Sequence, residues 1–337
     1  MKKIVSLVVI LTLSVFLVAC GGKDSGSSDS LVIYSPNSED IINTLIPMFE
    51  KETGIKVELI SAGTGELIKR ISSEKENPYA DIMFGGSKAQ ALGYPDLFEE
   101  YVSKNNDDML DGHKNTTGFL TPYVADGSVI LVNTDLIGDI EINGYEDLLN
   151  PALKGKIAAA DPASSSSAFA QLTNMLLAMG GDYTSDAGWD YVAELVKNLD
   201  GKVASGSGAV HKGVADGEYV VGLTYEDPSS SYVRDGAPVK IVYPVEGTVF
   251  LDAGVEIVKG SKNLENAKKF VDFIISKDAQ DAFGTKLTNR PLRKGVELGD
   301  YMTPLQDINI IIEDEDYIKE NRDKLVEKYI DVFTSAQ

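Results

Sequence analysis

Beyond position 30 the apolar residues come in short runs separated by small or polar turns. Leu31-Val32-Ile33-Tyr34 reads as a buried strand and Ser35-Pro36-Asn37-Ser38 as a turn. Ser38 is placed to cap a helix whose apolar residues, Ile41, Ile42, Leu45, Ile46 and Phe49, fall on one helical face, and Gly54 ends it. Lys56 to Ile60 is the next strand, and Gly63-Thr64-Gly65 opens a helix to about Lys75. Ala80 to Phe84 is a third strand, closing at Gly85-Gly86-Ser87. Strand, turn and helix in repetition predict a parallel sheet with helices on its faces.

An apolar strand at Ser128 to Val132, following Tyr123, carries the chain into a second lobe. There Lys156 to Ala160 leads into Asp161-Pro162-Ala163, the serine run Ser164, Ser165, Ser166, Ser167, and a helix with Phe169, Leu172, Leu176 and Met179 on one stripe. A further helix turns Trp189, Val192, Leu195 and Val196 inward and stops at Gly201. From Ser205 to Ser231 the pattern is a small-residue turn, a short helix carrying His211, a buried strand, and an acidic loop, Tyr225-Glu226-Asp227-Pro228. Lys240 to Tyr243 is a strand, and Gly247 to Val258 returns the chain to the first lobe. Asn263 to about Lys286 reads as one long helix and Glu315 to Phe333 as a surface helix. The expected fold is α/β, two lobes of mainly parallel sheet flanked by helices and joined by a hinge. Residues 31–124 with about 250–290 make lobe 1, and 125–249 with part of 291–337 make lobe 2.

The N-terminus modifies this picture. Lys2 and Lys3 precede an apolar run, Ile4 to Val18, too short to span a bilayer, so residues 1–19 read as an export signal. Ala19-Cys20 resembles a bacterial lipoprotein box, with Cys20 as the lipid anchor to the bilayer. Gly21 to Ser30 is a polar tether, so that residues 20–30 separate membrane from fold. Cys20 is the single cysteine, which excludes disulfides and thiol chemistry from the folded part. A formal net charge of -21 speaks against nucleic acid as a partner.

The loops that face the expected cleft are rich in Ser, Thr and Gly. Asn37, Ser38, Thr64, Gly65, Gly86, Ser87, Ser164 to Ser167, Ser205 and Ser207 mostly precede helices. Helix N-termini offer free N–H groups and a positive dipole end, so an oxyanion is the natural guest. Glu226, at the end of a strand, is a candidate partner for a ligand amine or hydroxyls; Asp227 fits a solvated Asp-Pro turn. Tyr225 and His211 complete the candidate ligand-binding set, and His113 reads as a surface residue. Two histidines without a further cysteine give no usual zinc cluster. Nucleophile-elbow, Walker and H-E-x-x-H patterns are missing from the sequence.

Six phrases, in order, carry a family resemblance: VIYSPNSE, ISAGTGEL, ADIMFGGS, IAAADPASSSSAF, SGSGAVHKGVADGEYVVGLTYED and GTVFLDAGVEIVKGSKNLENAKKFVDFI. The chain after Cys20 resembles the extracellular solute-binding lipoproteins of bacterial ABC importers, in the cluster of ferric-iron, thiamine, 2-aminoethylphosphonate and hexose-phosphate receptors. The resemblance implies a type II periplasmic-binding-protein fold with the ligand between the lobes and no cofactor. It also implies a monomer on the outer face of the cell membrane that delivers solute to a permease with its cytoplasmic ATPase. Ferric receptors of this cluster use adjacent tyrosines, where this chain has Tyr225 followed by Glu226. The expected ligand is therefore a small anionic solute, a phosphonate or a phosphorylated compound such as 2-aminoethylphosphonate or a sugar phosphate. A ferric-iron or thiamine receptor of the same fold is the alternative, and a lipid-anchored extracellular phosphoesterase a remote one.

Overall fold

The structure, a computed structural model, describes residues 30–336. The expected export signal, the Cys20 anchor and all but the last residue of the tether lie outside the described residues. The chain opens with β1 (Ser30–Ser35), α1 (Glu39–Thr53), β2 (Lys56–Ser61), α2 (Thr64–Glu74), β3 (Ile82–Ser87) and the short α3 (Lys88–Ala91). β1 pairs in parallel with β2 and β3, the arrangement that the repeated pattern predicts. α1 buries Ile41, Leu45 and Phe49, and Gly54 closes it at φ 75°, a left-handed cap that a side chain would resist.

The strand expected from Ser128 is the second half of a longer one, β4 (Leu120–Asn133). After it come β5 (Ile157–Ala158), α4 (Ser166–Gly180), α5 (Asp186–Leu199), α6 (Ser207–Ala215), β6 (Val221–Tyr225), α7 (Glu226–Arg234), β7 (Val239–Val242) and β8 (Thr248–Ile257). The remainder is α8 (Leu264–Ile274), α9 (Lys277–Thr285), β9 (Arg290–Pro291), β10 (Ile310–Ile311) and α10 (Glu315–Ala336). The main sheet runs β2-β1-β3-β8-β4-β6-β5. β4 is its spine. One edge of β4 pairs with β8 from Leu120 to Gly127 and then with β7 from Ile130. The other edge pairs with β9 at Val124 and Ala125 and then with β6 from Ser128. Residues 126–127 are thus the gap between partners on the second edge, while on the first edge pairing with β8 continues through them and gives way to β7 only beyond Gly127.

The apolar side chains divide accordingly. One core gathers Leu31, Ile33, Phe49, Phe84, Tyr123, Phe270 and Phe283. A second gathers Ile130, Val132, Tyr145, Leu172, Trp189 and Leu223, with Leu325 and Tyr329 of α10. β4 feeds both cores, which makes a two-lobed α/β molecule crossed by β4 and β8.

Three elements differ from the sequence expectation. The acidic loop after Tyr225 is the first turn of α7, where Pro228 is tolerated because early helical amides need no intrahelical acceptor. The single long helix from Asn263 is two, because the Ser276 hydroxyl accepts from the Ala279 amide and starts α9 anew. β1 begins at Ser30, opposite Lys56, one residue into the expected tether. Among the described residues, no helix is long and apolar enough to cross a membrane.

Candidate ligand-binding cleft

On the first lobe, the carboxyl ends of β1, β2 and β3 meet the starts of α1, α2 and α3. The Ser35 hydroxyl donates to the Phe84 carbonyl at 2.6 Å and accepts from the Asn37 amide at 3.1 Å. Asn37 Nδ2 donates to the same carbonyl at 3.1 Å, while the Tyr123 hydroxyl donates to Asn37 Oδ1 at 3.0 Å. The two glycines make this approach possible. Gly85 and Gly86 stand at φ 105° and 97°; a Cβ on Gly85 would strike Asn37, and one on Gly86 would lie 2.6 Å from Thr64 Cγ2. Gly65 sits beside Gln90, whose amide donates to the Ser87 hydroxyl at 3.2 Å. Asn37, Ser38, Thr64, Gly65, Gly86 and Ser87 therefore share one edge of one lobe. Lys88 follows on it, 3.2 Å from Glu315 of α10 and 4.0 Å from Asp252 of β8.

On the second lobe the serine run and the small-residue turn before α6 lie together. The Ser164 hydroxyl donates to the Ser205 carbonyl at 2.9 Å, and Ser165 Oγ and Ser167 Oγ are 3.1 Å apart. Ser166 begins α4 exposed. The Tyr225 hydroxyl lies near Ser207, and its pKa is raised by burial and then by the charges of Asp126 and Asp227. His211 Nδ1 is 3.3 Å from Thr224 Oγ1, and the ring meets Tyr225 edge-on with centroids 6.0 Å apart. Burial lowers the His211 pKa, so the ring is neutral at neutral pH. A cavity of about 410 Å³ lies between the lobes, lined by Ser38, Asp40 and Thr288 of the first and by His211 and Asp227 of the second.

The serines divide by role. Ser87 and Ser165 accept from the amides of Gln90 and Ala168 and so cap α3 and α4. α1, α2 and α6 follow Ser38, Gly63 and Gly206 without a side-chain cap bond, which leaves their first amides open to a guest, whereas the first turn of α7 is already bonded to Asp126 through the Asp227 amide. Ser38 is exposed at that point rather than capping, as the sequence pattern had suggested.

Glu226 does not meet its expectation as the ligand's carboxylate. It is 1% exposed, and Arg290 Nε donates to its Oε2 at 2.9 Å. Arg290 Nη2 and the Tyr243 hydroxyl both donate to its Oε1. The carboxylates that line the cavity are Asp40, Asp227 and Asp235, and Asp126 stands against the Asp227 amide. The Asp227 amide donates to Asp126 Oδ1 at 3.1 Å, and the Thr288 hydroxyl donates to Asp227 Oδ1 at 2.6 Å. Burial, then each other's proximity or that of Glu226, raises both pKa values. Asp227 is thus a half-buried, bonded group and no solvated turn residue. His113 is likewise half-buried, with Nδ1 2.8 Å from Asp252 Oδ1, and not a surface residue. Asp126 escaped the sequence reading although a signal existed: Asp126-Gly127 is a hairpin dipeptide in an apolar run that fails to turn. Among the described residues, no group of three or more His, Cys, Asp or Glu could hold a metal ion.

The profile of the bacterial extracellular solute-binding proteins matches residues 44–307. Iron uptake protein A1 of Synechocystis is 28% identical, over 81% of this chain and 78% of its own. A Salmonella typhimurium periplasmic protein named for 2-aminoethylphosphonate binding is 25% identical, over 75% of this chain and 74% of its own. The structure of AfuA from Actinobacillus pleuropneumoniae, a periplasmic binding protein with fructose 6-phosphate bound, superposes with a TM-score of 0.73 at 28% identity, covering 90% of this chain and 98% of that one. The architecture described above is thus the periplasmic-binding-protein fold.

Proposed function

The chain belongs to the bacterial extracellular solute-binding proteins, the receptors that hand a small solute to the permease of an ABC importer, and on that premise we propose that its ligand is an organic phosphate or phosphonate held between the lobes. One observation carries this reading. The uncapped starts of α1 and α2 open beside Gly85 and Gly86, and the cavity lined by Ser38 at the start of α1 is shared with His211 and Asp227 of the other lobe. In this reading the oxyanion sits on the first lobe's edge, on the amides after Ser38 and Gly63 with Asn37, Ser38, Thr64 and Gly86 around it. Ser205, Ser207 and His211 donate from the opposite side. Asp227 and Asp126 replace Glu226 as acceptors for the ligand's hydroxyls or ammonium.

The energies suffice. Each helix terminus contributes roughly 0.3–1 kcal/mol, and each hydrogen bond to a charged group about 1.5–3 kcal/mol. A few together approach the ~8 kcal/mol of micromolar binding. The names of the aminophosphonate-binding relative and of the fructose 6-phosphate complex support the ligand class. An iron-uptake relative raises ferric iron as a rival, and Tyr225 beside an Arg290-bound Glu226 is poorly suited to it. We further assign Cys20 as the lipid anchor and residues 1–19 as a signal, a monomeric state, and the lobe boundaries given above; the partition of the two cores supports those boundaries, with α10 attached to lobe 2.

A thermal-shift panel tests the ligand. Fructose 6-phosphate or 2-aminoethylphosphonate at a hundredfold excess over its Kd should stabilise the protein by about 2.7 kcal/mol. Stabilisation by ferric citrate, with none by either phosphorus compound, would overturn the proposal.

A further inference from the structure

Among the described residues, the largest side chain that is fully buried is a charged one, Arg290, 1% exposed. It lies on β9, opposite Ala125 of β4. On the same edge of β4 the next partner is Tyr225 of β6, opposite Ser128, so Glu226 is the first residue past the end of β6. The Arg290–Glu226 pair therefore spans the gap at residues 126–127, where β4 leaves β9 for β6. Phe250 of β8, in register with Gly127, lies under the guanidinium at 5.2 Å, and a Cβ on Gly127 would stand 2.6 Å from the Phe250 ring. Tyr243 closes the other side, its hydroxyl shared between Glu226 and Arg290. Of the residues flanking Glu226, Asp227 lines the cavity and is bonded to Thr288, and Tyr225 packs against the ring of His211, which lines it too. Beside this pair, Ser231 of α7 and Thr288 are 2.8 Å apart, a second tie across the same gap.

We infer that Arg290 is a positioning residue of the cleft: through Glu226 it sets Tyr225 and Asp227, and the pair is the joint at which β4 passes between lobes. The role in ligand binding rests on the cleft assigned above, whereas the role as a joint does not. Arg290→Met alone strands a buried carboxylate and lowers stability for that reason only. Arg290→Met/Glu226→Met removes both charges from the apolar site, so its melting temperature should return close to that of the unaltered protein.

Two readouts on the double variant separate positioning from mere stability. Amide hydrogen exchange in the ligand-free protein should quicken at residues 125–128 and 225–228 and stay unchanged in the cores of both lobes. Affinity for fructose 6-phosphate or 2-aminoethylphosphonate should fall by on the order of tenfold to a hundredfold, by analogy with the loss at metal sites when the outer partner of a ligand is removed. Unchanged exchange at both segments would overturn the joint. Full affinity in the double variant at restored stability would overturn the positioning role. Failure of the unaltered protein to bind either compound would count against the proposed ligand, while exchange still decides the joint.

Discussion

Gly85→Ala tests the packing on which the first lobe's edge depends. The residue stands at φ 105°, and the added methyl would run into the Asn37 carboxamide. Backbone strain at such an angle costs about 1–3 kcal/mol. Moving Asn37 aside also breaks its bonds to the Phe84 carbonyl and the Tyr123 hydroxyl, at about 0.5–1.5 kcal/mol each. The expected loss is roughly 2–6 kcal/mol, the sum of those ranges. Urea unfolding measures it, and Asn37→Ala supplies the control. Asn37→Ala alone should cost about 1–3 kcal/mol for the same two bonds. In the double variant the collision is gone, so its loss should fall short of the two single losses added together. Strict additivity, or a Gly85→Ala loss below about 0.5 kcal/mol, the range of an ordinary surface change, would refute the close approach.

Ser38→Ala should leave stability within about 0.5 kcal/mol, since its hydroxyl caps nothing, yet weaken binding of fructose 6-phosphate. Ser165→Ala should lose about 1 kcal/mol from the α4 cap, read by the same unfolding curves. Asp126→Asn should stabilise the protein at pH 7: a carboxyl whose folded pKa is raised contributes stability at low pH and loses it as pH rises through that value. The gain should vanish below about pH 4, and a loss at pH 7 would contradict the burial argument. His211 has the opposite sign, because its folded pKa is lowered. Its contribution is present above about pH 6.5 and is lost as pH falls through the lowered value. His211→Gln should therefore flatten the drop in melting temperature between neutral and mildly acid pH.

The lobes were legible because periodicity survives in sequence. Ile41, Leu45 and Phe49 announce α1 by spacing alone, and Gly54 marks its end. Small residues at strand ends mark one edge of each lobe in the sequence, and in the structure the Ser164–Ser205 bond joins two of the second lobe's loops. Glu226 was misjudged for a reason periodicity cannot carry: its partner, Arg290, is 64 residues away. A carboxylate at a strand's end looks the same in sequence whether it faces a ligand or a buried guanidinium. Asp126 was missed because an Asp-Gly pair argues for a turn, and only the pairing of β4 with β8, which continues through both residues, keeps the strand straight through it. The serines were recognisable as a group but not by role, since a capping hydroxyl and a free one differ only in where the helix begins.

Calorimetric titration of the purified protein with fructose 6-phosphate, and separately with fructose, tests the central claim most directly. A cleft built around an oxyanion should bind the phosphate ester with a Kd at or below the micromolar range and leave the unphosphorylated sugar unbound. Equal affinity for both, or heat only on addition of ferric ion, would contradict it.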